Sequence, residues 1–371
     1  MAMGKIGAIK QRASRIVETI SDRLLPPEFL AKRREIREWR PWIDSIKPQL
    51  LEDMSFATPE VKRRLFAENV KQVEIETHAR CNRICWFCPN VLKDRRRDKT
   101  RASADMLKKL LTELAQIDFK GQLRIARYSE PMVDMDYLCA QLSLARQMLP
   151  AAQLSIVTNT DYLTRKSLAR LEEVGLDVLY MSLYLKNREP WSVKLAHDYS
   201  ERIGKKISLP VSNRSQTSSS VRYDFKHPRM RIQSACLDFG QQGSDRGATL
   251  AFYSSLTRHG PCREPFSSFV VDYTGAVVPC CNVRSDFAEH APYVVGNLAE
   301  KPESIFDIYA GQLAGWRKSM VGIGDKGAPC STCRHREVSK AATVAVFGEL
   351  ERKLNAVGMP ELFAGRAAAT E

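Results

Sequence analysis

The sequence predicts an α/β protein: a parallel sheet, open or closed as a full or partial barrel, with a helical N-terminal extension and a small, cysteine-rich C-terminal domain. Three observations carry this expectation. From Gln72 onward short β-type runs alternate with longer amphipathic segments, the rhythm of βαβ units and a parallel sheet. The seventy residues before them read as helix only. Beyond Cys262 the text changes to a hairpin, a helix and a closing cysteine pair. These changes mark four segments: an extension over 1–70, a barrel over 71–260, a cysteine domain over 261–340 and a tail over 341–371.

In the extension, IVETISDRLL has helical spacing, Pro26-Pro27 interrupts it and FLAKRREIREW resumes it. TPEVKRRLFAENV then opens on a Thr cap followed by Pro, as helices prefer. Barrel strands are expected at VEIET (73–77), LRIARY (123–128), LSIVTN (154–159), VLYMSLY (178–184) and ISLPVS (207–212), with helices at 104–117, 135–149 and 163–175. Residues 213–261 are polar and uneven, and loops crossing one face of the barrel are expected there. FVVDY and AVVPC flank Thr274-Gly275 as a hairpin, ESIFDIYAGQLAGWRKSMV reads as helix, and the tail is helix-like or loosely held.

The 371 residues carry a formal net charge of +14, with 44% apolar and 27% charged residues, as in soluble globular chains. No apolar run approaches the roughly 18 residues of a membrane span. The N-terminus also lacks the apolar core of a secretory signal. Ten cysteines, clustered at metal-ligand spacings, point to reduced thiols that hold metal in a reducing compartment, the cytoplasm. Part of the basic excess lies in KDRRRDKTR (93–101), directly after a cysteine triplet. A substrate or lid role and a plain solvated face are both open for it.

That triplet, Cys81, Cys85 and Cys88, has C-x3-C-x2-C spacing and follows the first strand, at the carboxyl end where parallel sheets bind ligands. A zinc site closed by protein needs four ligands, and only His78 stands near to complete one. Three thiolates can instead hold three irons of a 4Fe-4S cube and leave the fourth iron open. With Phe87 as the aromatic residue before the last cysteine, CNRICWFC resembles the CxxxCxxC motif of radical S-adenosylmethionine (SAM) enzymes.

The resemblance implies a partial (β/α)6, TIM-like barrel, a 4Fe-4S cluster on the triplet and SAM on its open iron. It further implies reductive cleavage to a 5′-deoxyadenosyl radical that takes hydrogen from substrate. Ser129-Glu130-Pro131 stands where the family holds the SAM ammonium, and a carboxylate such as Glu130 is a natural partner for that cation. Thr158-Asn159 ends the third strand, where relatives place polar groups near the ribose, and Ser182, a further cofactor-binding candidate, lies in the fourth. Arg214, after the fifth expected strand, is a candidate for the SAM carboxylate or the substrate.

A second set, Cys262, Gly275 and Cys280, stands as C-x12-G-x4-C, followed by Cys330 and Cys333 as C-x2-C. By count alone zinc and 4Fe-4S are both open. In a radical SAM chain the pattern resembles the SPASM domain, and since no cysteine follows Cys333 it resembles the shortened twitch form. The resemblance implies one auxiliary 4Fe-4S cluster on Cys262, Cys280, Cys330 and Cys333. Cys281 competes with Cys280, and the Gly-x4-Cys spacing favours Cys280. Cys139 falls in a helix and reads as core, while Cys236 is a candidate cluster ligand or hydrogen donor to substrate.

A fully ligated auxiliary cluster suits electron transfer, hence oxidation of a small polar, sugar-like or anionic metabolite, with a flavodoxin- or ferredoxin-type electron donor. Peptide maturation is the alternative, weakened by a helical rather than β-rich N-terminus. A zinc-ribbon protein on nucleic acid leaves the barrel rhythm and Glu130 without explanation, so nucleic acid is not expected as a partner.

Overall fold

A computed structural model describes residues 26–186, 189–251, 256–300 and 303–363. Ten strands form one sheet: β1 (Gln72–Ile75), β2 (Gln122–Ile125), β3 (Gln153–Thr158), β4 (Val178–Leu183), β5 (Val211–Thr217), β6 (Ser220–Phe225), β7 (Arg231–Leu237), β8 (Ser268–Val271), β9 (Ala276–Val278) and β10 (Gly296–Asn297). Their order is β10-β9-β8-β1-β2-β3-β4-β7-β6-β5. Six neighbours, β8, β1, β2, β3, β4 and β7, run parallel. β9 and β10 flank them on one side and β6 and β5 on the other, all antiparallel to their neighbours. The two edge strands do not pair with each other, so this is the expected partial barrel.

Helices make the crossovers. α3 (Ala104–Ala115) opens on the Ser103 side chain, which accepts from the Met106 amide, and buries Leu107, Leu110, Leu111 and Leu114 at helical spacing. α4 (Met135–Met148), α5 (Arg165–Glu173) and α6 (Val193–Ile207) follow β2, β3 and β4. Val73, Ile75, Leu123, Ile125, Leu154 and Ile156 are buried at alternate, paired positions of the central strands, on one face that joins the core with the crossover helices.

Two expectations need correction. ISLPVS is not a barrel strand: Ile207 closes α6, and β5 begins at Val211 as an antiparallel edge. Residues 213–261 are not mainly loop, since β6 and β7 lie there and β7 is the fifth parallel strand in chain order. The reason is exposure. Six of the seven residues of β5 face solvent, so its text is polar, and β7 alternates buried and half-exposed positions that include Gln233 and Ser234.

The expected helix over IVETISDRLL lies outside the described residues. Within them, α1 (Pro27–Ser45) and α2 (Pro59–Asn69) are welded to the far end of the chain. Phe66 of α2 meets Phe269 of β8, with Phe306 and Tyr309 of α7 (Ile305–Ala310), all at ring distances of 5.3–5.5 Å. Trp42 of α1 meets Phe266 edge-on. The tail forms α9 (Lys340–Ala356) after α8 (Gln312–Val321), and Glu349 and Lys353 of α9 bind Arg40 and the Asp44 carbonyl of α1. The expected hairpin is β8–β9: the Asp272 side chain accepts from the amides of Thr274 and Ala276, and Gly275 takes φ +87°. Among the described residues no helix is long and apolar enough to cross a membrane.

Candidate active site and cysteine clusters

The carboxyl ends of β1, β2 and β3 converge on one narrow cavity of about 80 Å³, lined among others by Cys81, Cys85, Cys88, Phe87, Ser129 and Glu130. The cysteine loop is fixed at both ends. Asp161, beyond β3, accepts from Asn82 at 2.6 Å and from Arg83 at 2.7 and 2.5 Å. Buried Arg95 lies beneath the loop, paired with Glu76 at 2.7 Å and Asp286 at 2.9 Å. Of the basic run 93–101, then, Arg95 is a structural anchor, and Arg96 is taken up by Asp94. Burial pushes the Cys81 thiol up to about 11, Cys85 to about 12, and Cys88 upward as well. Such thiols stay neutral until a metal displaces their protons.

Glu130 is buried, and three predicted residues meet there. Its Oε1 accepts from the Thr158 hydroxyl at 2.7 Å and the Met132 amide at 3.1 Å, while Oε2 accepts from the Asn159 amide at 2.7 Å. Burial still dominates these donors and raises the carboxyl to about 7. Among the described residues no cation pairs with it, which leaves a carboxylate aimed at the cavity and short of a positive partner. The Asn159 side chain reaches Asn82 at 2.8 Å, tying β3 to the cysteine loop. Phe87 stacks on Phe239 at 3.6 Å and leans on Tyr184 at 5.0 Å, closing one wall.

Other predicted residues lie elsewhere. Ser182 is not part of the lining but hydrogen-bonds Tyr184, which is. Arg214 projects from edge strand β5, half exposed, over Tyr223 and toward Glu201 at 3.5 Å. Cys236 is fully buried in β7 within the main core, its thiol raised to about 12 by that burial, and does not line the cavity. Cys139 is likewise buried.

The second cysteine set is assembled by the fold. Arg258 staples its two halves: the guanidinium donates to the carbonyls of Pro261, Cys333 and His335 at 2.6–3.0 Å. The Cys262 amide donates to Met320 at 2.8 Å, and the Cys333 amide to Cys330 at 3.1 Å. Burial raises all four thiols, Cys262 to about 11 and Cys330 to about 12. Cys280 sits within the field of Cys330, Cys262 and Cys333 as well as its neighbour. Cys281 faces Glu74 and Glu264 instead, and its sulfur lies within 4.8 Å of ligand atoms of Glu264 and His335. Burial alone would raise Glu264, but His335, Arg336 at 3.0 Å and Ser268 hold it at about 2, so this carboxylate is already paired.

Sequence reasoning missed Tyr128, Arg127 and Arg246. The Tyr128 hydroxyl donates to the Cys281 carbonyl at 2.8 Å, a direct bond between the barrel and the cysteine-rich segment. Its only signal was its place beside Ser129-Glu130.

Residues 262–335 match the model of an iron-sulfur cluster-binding domain, SPASM. The resemblance to a radical SAM enzyme carrying a SPASM or twitch domain is borne out. A curated relative, the S-adenosyl-L-methionine-dependent 2-deoxy-scyllo-inosamine dehydrogenase of Niallia circulans, is 25% identical over 272 residues, 72% of this chain and 93% of the relative. Among solved structures, BtrN in complex with AdoMet and 2-DOIA aligns at 23% identity and TM-score 0.49, over 68% of this chain and 87% of that one. Native anSMEcpe with bound AdoMet aligns at 12% and 0.40, over 78% and 97%.

Proposed function

We propose that this chain is a radical SAM enzyme that oxidises a small polar, sugar-like metabolite, with 4Fe-4S clusters on two sulfur sites. The donor sets fit those groups. Cys81, Cys85 and Cys88 offer three thiols at a cavity and leave one position to a small molecule, whereas Cys262, Cys280, Cys330 and Cys333 offer four. Cys81, Cys85 and Cys88 would hold the first cluster, which would supply the electron for reductive cleavage of SAM and so for hydrogen abstraction from substrate.

The chain's own residues orient and shield that chemistry. Glu130 receives the SAM ammonium, with Thr158 and Asn159 fixing its two oxygens. Phe87 and Tyr184 keep water from one wall. The second site, saturated by protein, would suit removal of the electron left on the substrate after hydrogen abstraction, and a flavodoxin- or ferredoxin-type protein would supply the electron spent in cleaving SAM. Ten free cysteines suit a reducing, cytoplasmic compartment. A small-molecule substrate is favoured over a peptide because α1 and α2 are packed into the core rather than set apart as a recognition domain.

The observation that carries this reading is buried Glu130, without a cation, beside three thiols. Anaerobic reconstitution should give brown protein with about eight irons, and dithionite with SAM should release 5′-deoxyadenosine. The Cys81→Ala, Cys85→Ala, Cys88→Ala triple variant should keep about four irons and release none. Colourless protein holding stoichiometric zinc, or a triple variant that still cleaves SAM, rejects the reading.

A further inference from the structure

Between the two sulfur sites lies a half-buried guanidinium with few partners. Arg246 donates from Nη1 to the Asn282 side chain at 3.0 Å, and its Nε is buried with no acceptor. The groups acting on it most strongly are Tyr128, Cys281, Cys88 and Tyr184, none of them a carboxylate. Among the described residues no carboxylate oxygen lies within 4 Å of it. Tyr128, Tyr184 and Cys88 line the cavity described above, and Gly247, Ala248 and Thr249 line a second cavity of about 490 Å³ against Phe287 and Tyr293. Arg246 is thus next to both cavities: its loop neighbours line the larger, and Tyr128, Tyr184 and Cys88, which act on its charge, line the smaller.

Arg127 lines the first cavity, with its side chain 2% exposed and its Nε without an acceptor, but it is already provided for. It donates to the Val283 carbonyl, lies 4.0 Å from Glu76 and stands in the field of Asp272 and Glu74 as well. The other nearby cations are committed: Arg284 to Asp286, and Arg258 and Lys326 beside Cys262 and Cys330. Arg246, Gly247 and Ala248 are consecutively left-handed at φ +51°, +69° and +67°, and His290 fixes the Gly247 carbonyl at 2.7 Å. Backbone strain of this kind concentrates at ligand clamps, and a buried donor such as the Arg246 Nε is costly to leave without an acceptor.

We infer that Arg246 binds an anionic group of the substrate, a phosphate or a carboxylate, and so restricts the substrate class to acidic or phosphorylated polyols. This rests on the radical SAM reading and narrows it.

The test uses reconstituted, SAM-loaded full-length protein in equilibrium titrations with matched probes: myo-inositol and myo-inositol 1-phosphate, glucose, glucose 6-phosphate and glucuronate. At least one anionic member should bind about tenfold or more tighter than its neutral partner, as a charge-assisted contact predicts. The phosphorylated and carboxylated arms tell which anion is meant. Arg246→Gln should erase that preference, Arg246→Lys should keep most of it, and SAM affinity should stay within about twofold in both. Equal binding of charged and neutral members, or none by any, overturns the inference. So does a Gln variant that loses SAM along with the probe, which would assign the arginine to the SAM carboxylate. Wild-type SAM binding and cleavage, measured on the same samples, report separately on the radical SAM reading.

Discussion

The two sulfur sites reach similar donor chemistry by opposite routes. The triplet occupies eight consecutive residues on one loop, needs only the end of β1 to present it, and opens to a cavity. The quartet gathers residues 262, 280, 330 and 333 through the β8–β9 hairpin, the Arg258 staple and the turn after α8, with Cys333 buried and the other three half-buried. A site that must accept a small molecule is local and exposed on one side. A site that carries only electrons can be built from distant parts, because nothing has to enter it. The difference also separates their failures: damage to the triplet removes chemistry, whereas damage to the quartet threatens the docking of the cysteine-rich segment, α1 and α9 on the barrel.

The largest expected effect breaks the comparison at the quartet. Cys330→Ala with Cys333→Ala should cut iron from about eight to about four per chain while dithionite-driven release of 5′-deoxyadenosine persists, uncoupled from product. Loss of all iron, with a native far-UV spectrum, would mean that the sites are not independent. A narrower contrast separates adjacent sulfurs. Cys280 lies within the field of the other three thiols and Cys281 lies toward Glu264 and His335. Cys280→Ser should therefore lose the quartet cluster's iron and its electron paramagnetic resonance signal, and Cys281→Ser should retain both; the reverse result would exchange their roles.

What could be read from the sequence follows the same division. The triplet, Glu130, Thr158 and Asn159 were legible because each sits at the end of a strand marked by a short apolar run, and strand ends in a parallel sheet converge. The central helices and the hairpin were legible for similar local reasons. The arginines were not. Arg95 reads as one of six bases in a solvated run, and only the fold brings it to Asp286, 191 positions away. Arg246 sits in polar text whose left-handed backbone no residue type announces, apart from Gly247. Edge strand β5 hides because its side chains face water, which removed the fifth strand from view and misplaced both Arg214 and Cys236 relative to the cavity. α6 was readable, since Ala196, Ser200, Ile203 and Ile207 keep helical spacing, but its polar face drowned that signal.

The smallest effect tests how the open site is kept ready. Burial raises Glu130 from an ordinary carboxyl value to about 7 in the folded chain. Between pH 4.5 and 7 the folded state therefore holds a proton that the unfolded state has released, so this group's contribution to stability is full below that window and lost as pH rises through about 7. His78, lowered to about 4 by burial, acts in the opposite direction at the acid end, so a bare pH profile would mix the two. The difference between wild type and Glu130→Gln isolates the carboxyl, because Gln does not titrate and its altered hydrogen bonds add only a constant offset. In SAM-free protein, wild-type Tm minus variant Tm should fall by a few degrees from pH 5 to 8, and saturating SAM should flatten that slope by supplying the ammonium. A slope that is flat without SAM would remove the raised carboxyl, and a slope indifferent to SAM would move the ammonium away from Glu130. Either result would leave the triplet as a metal site without the polar receptor that makes it different from the quartet.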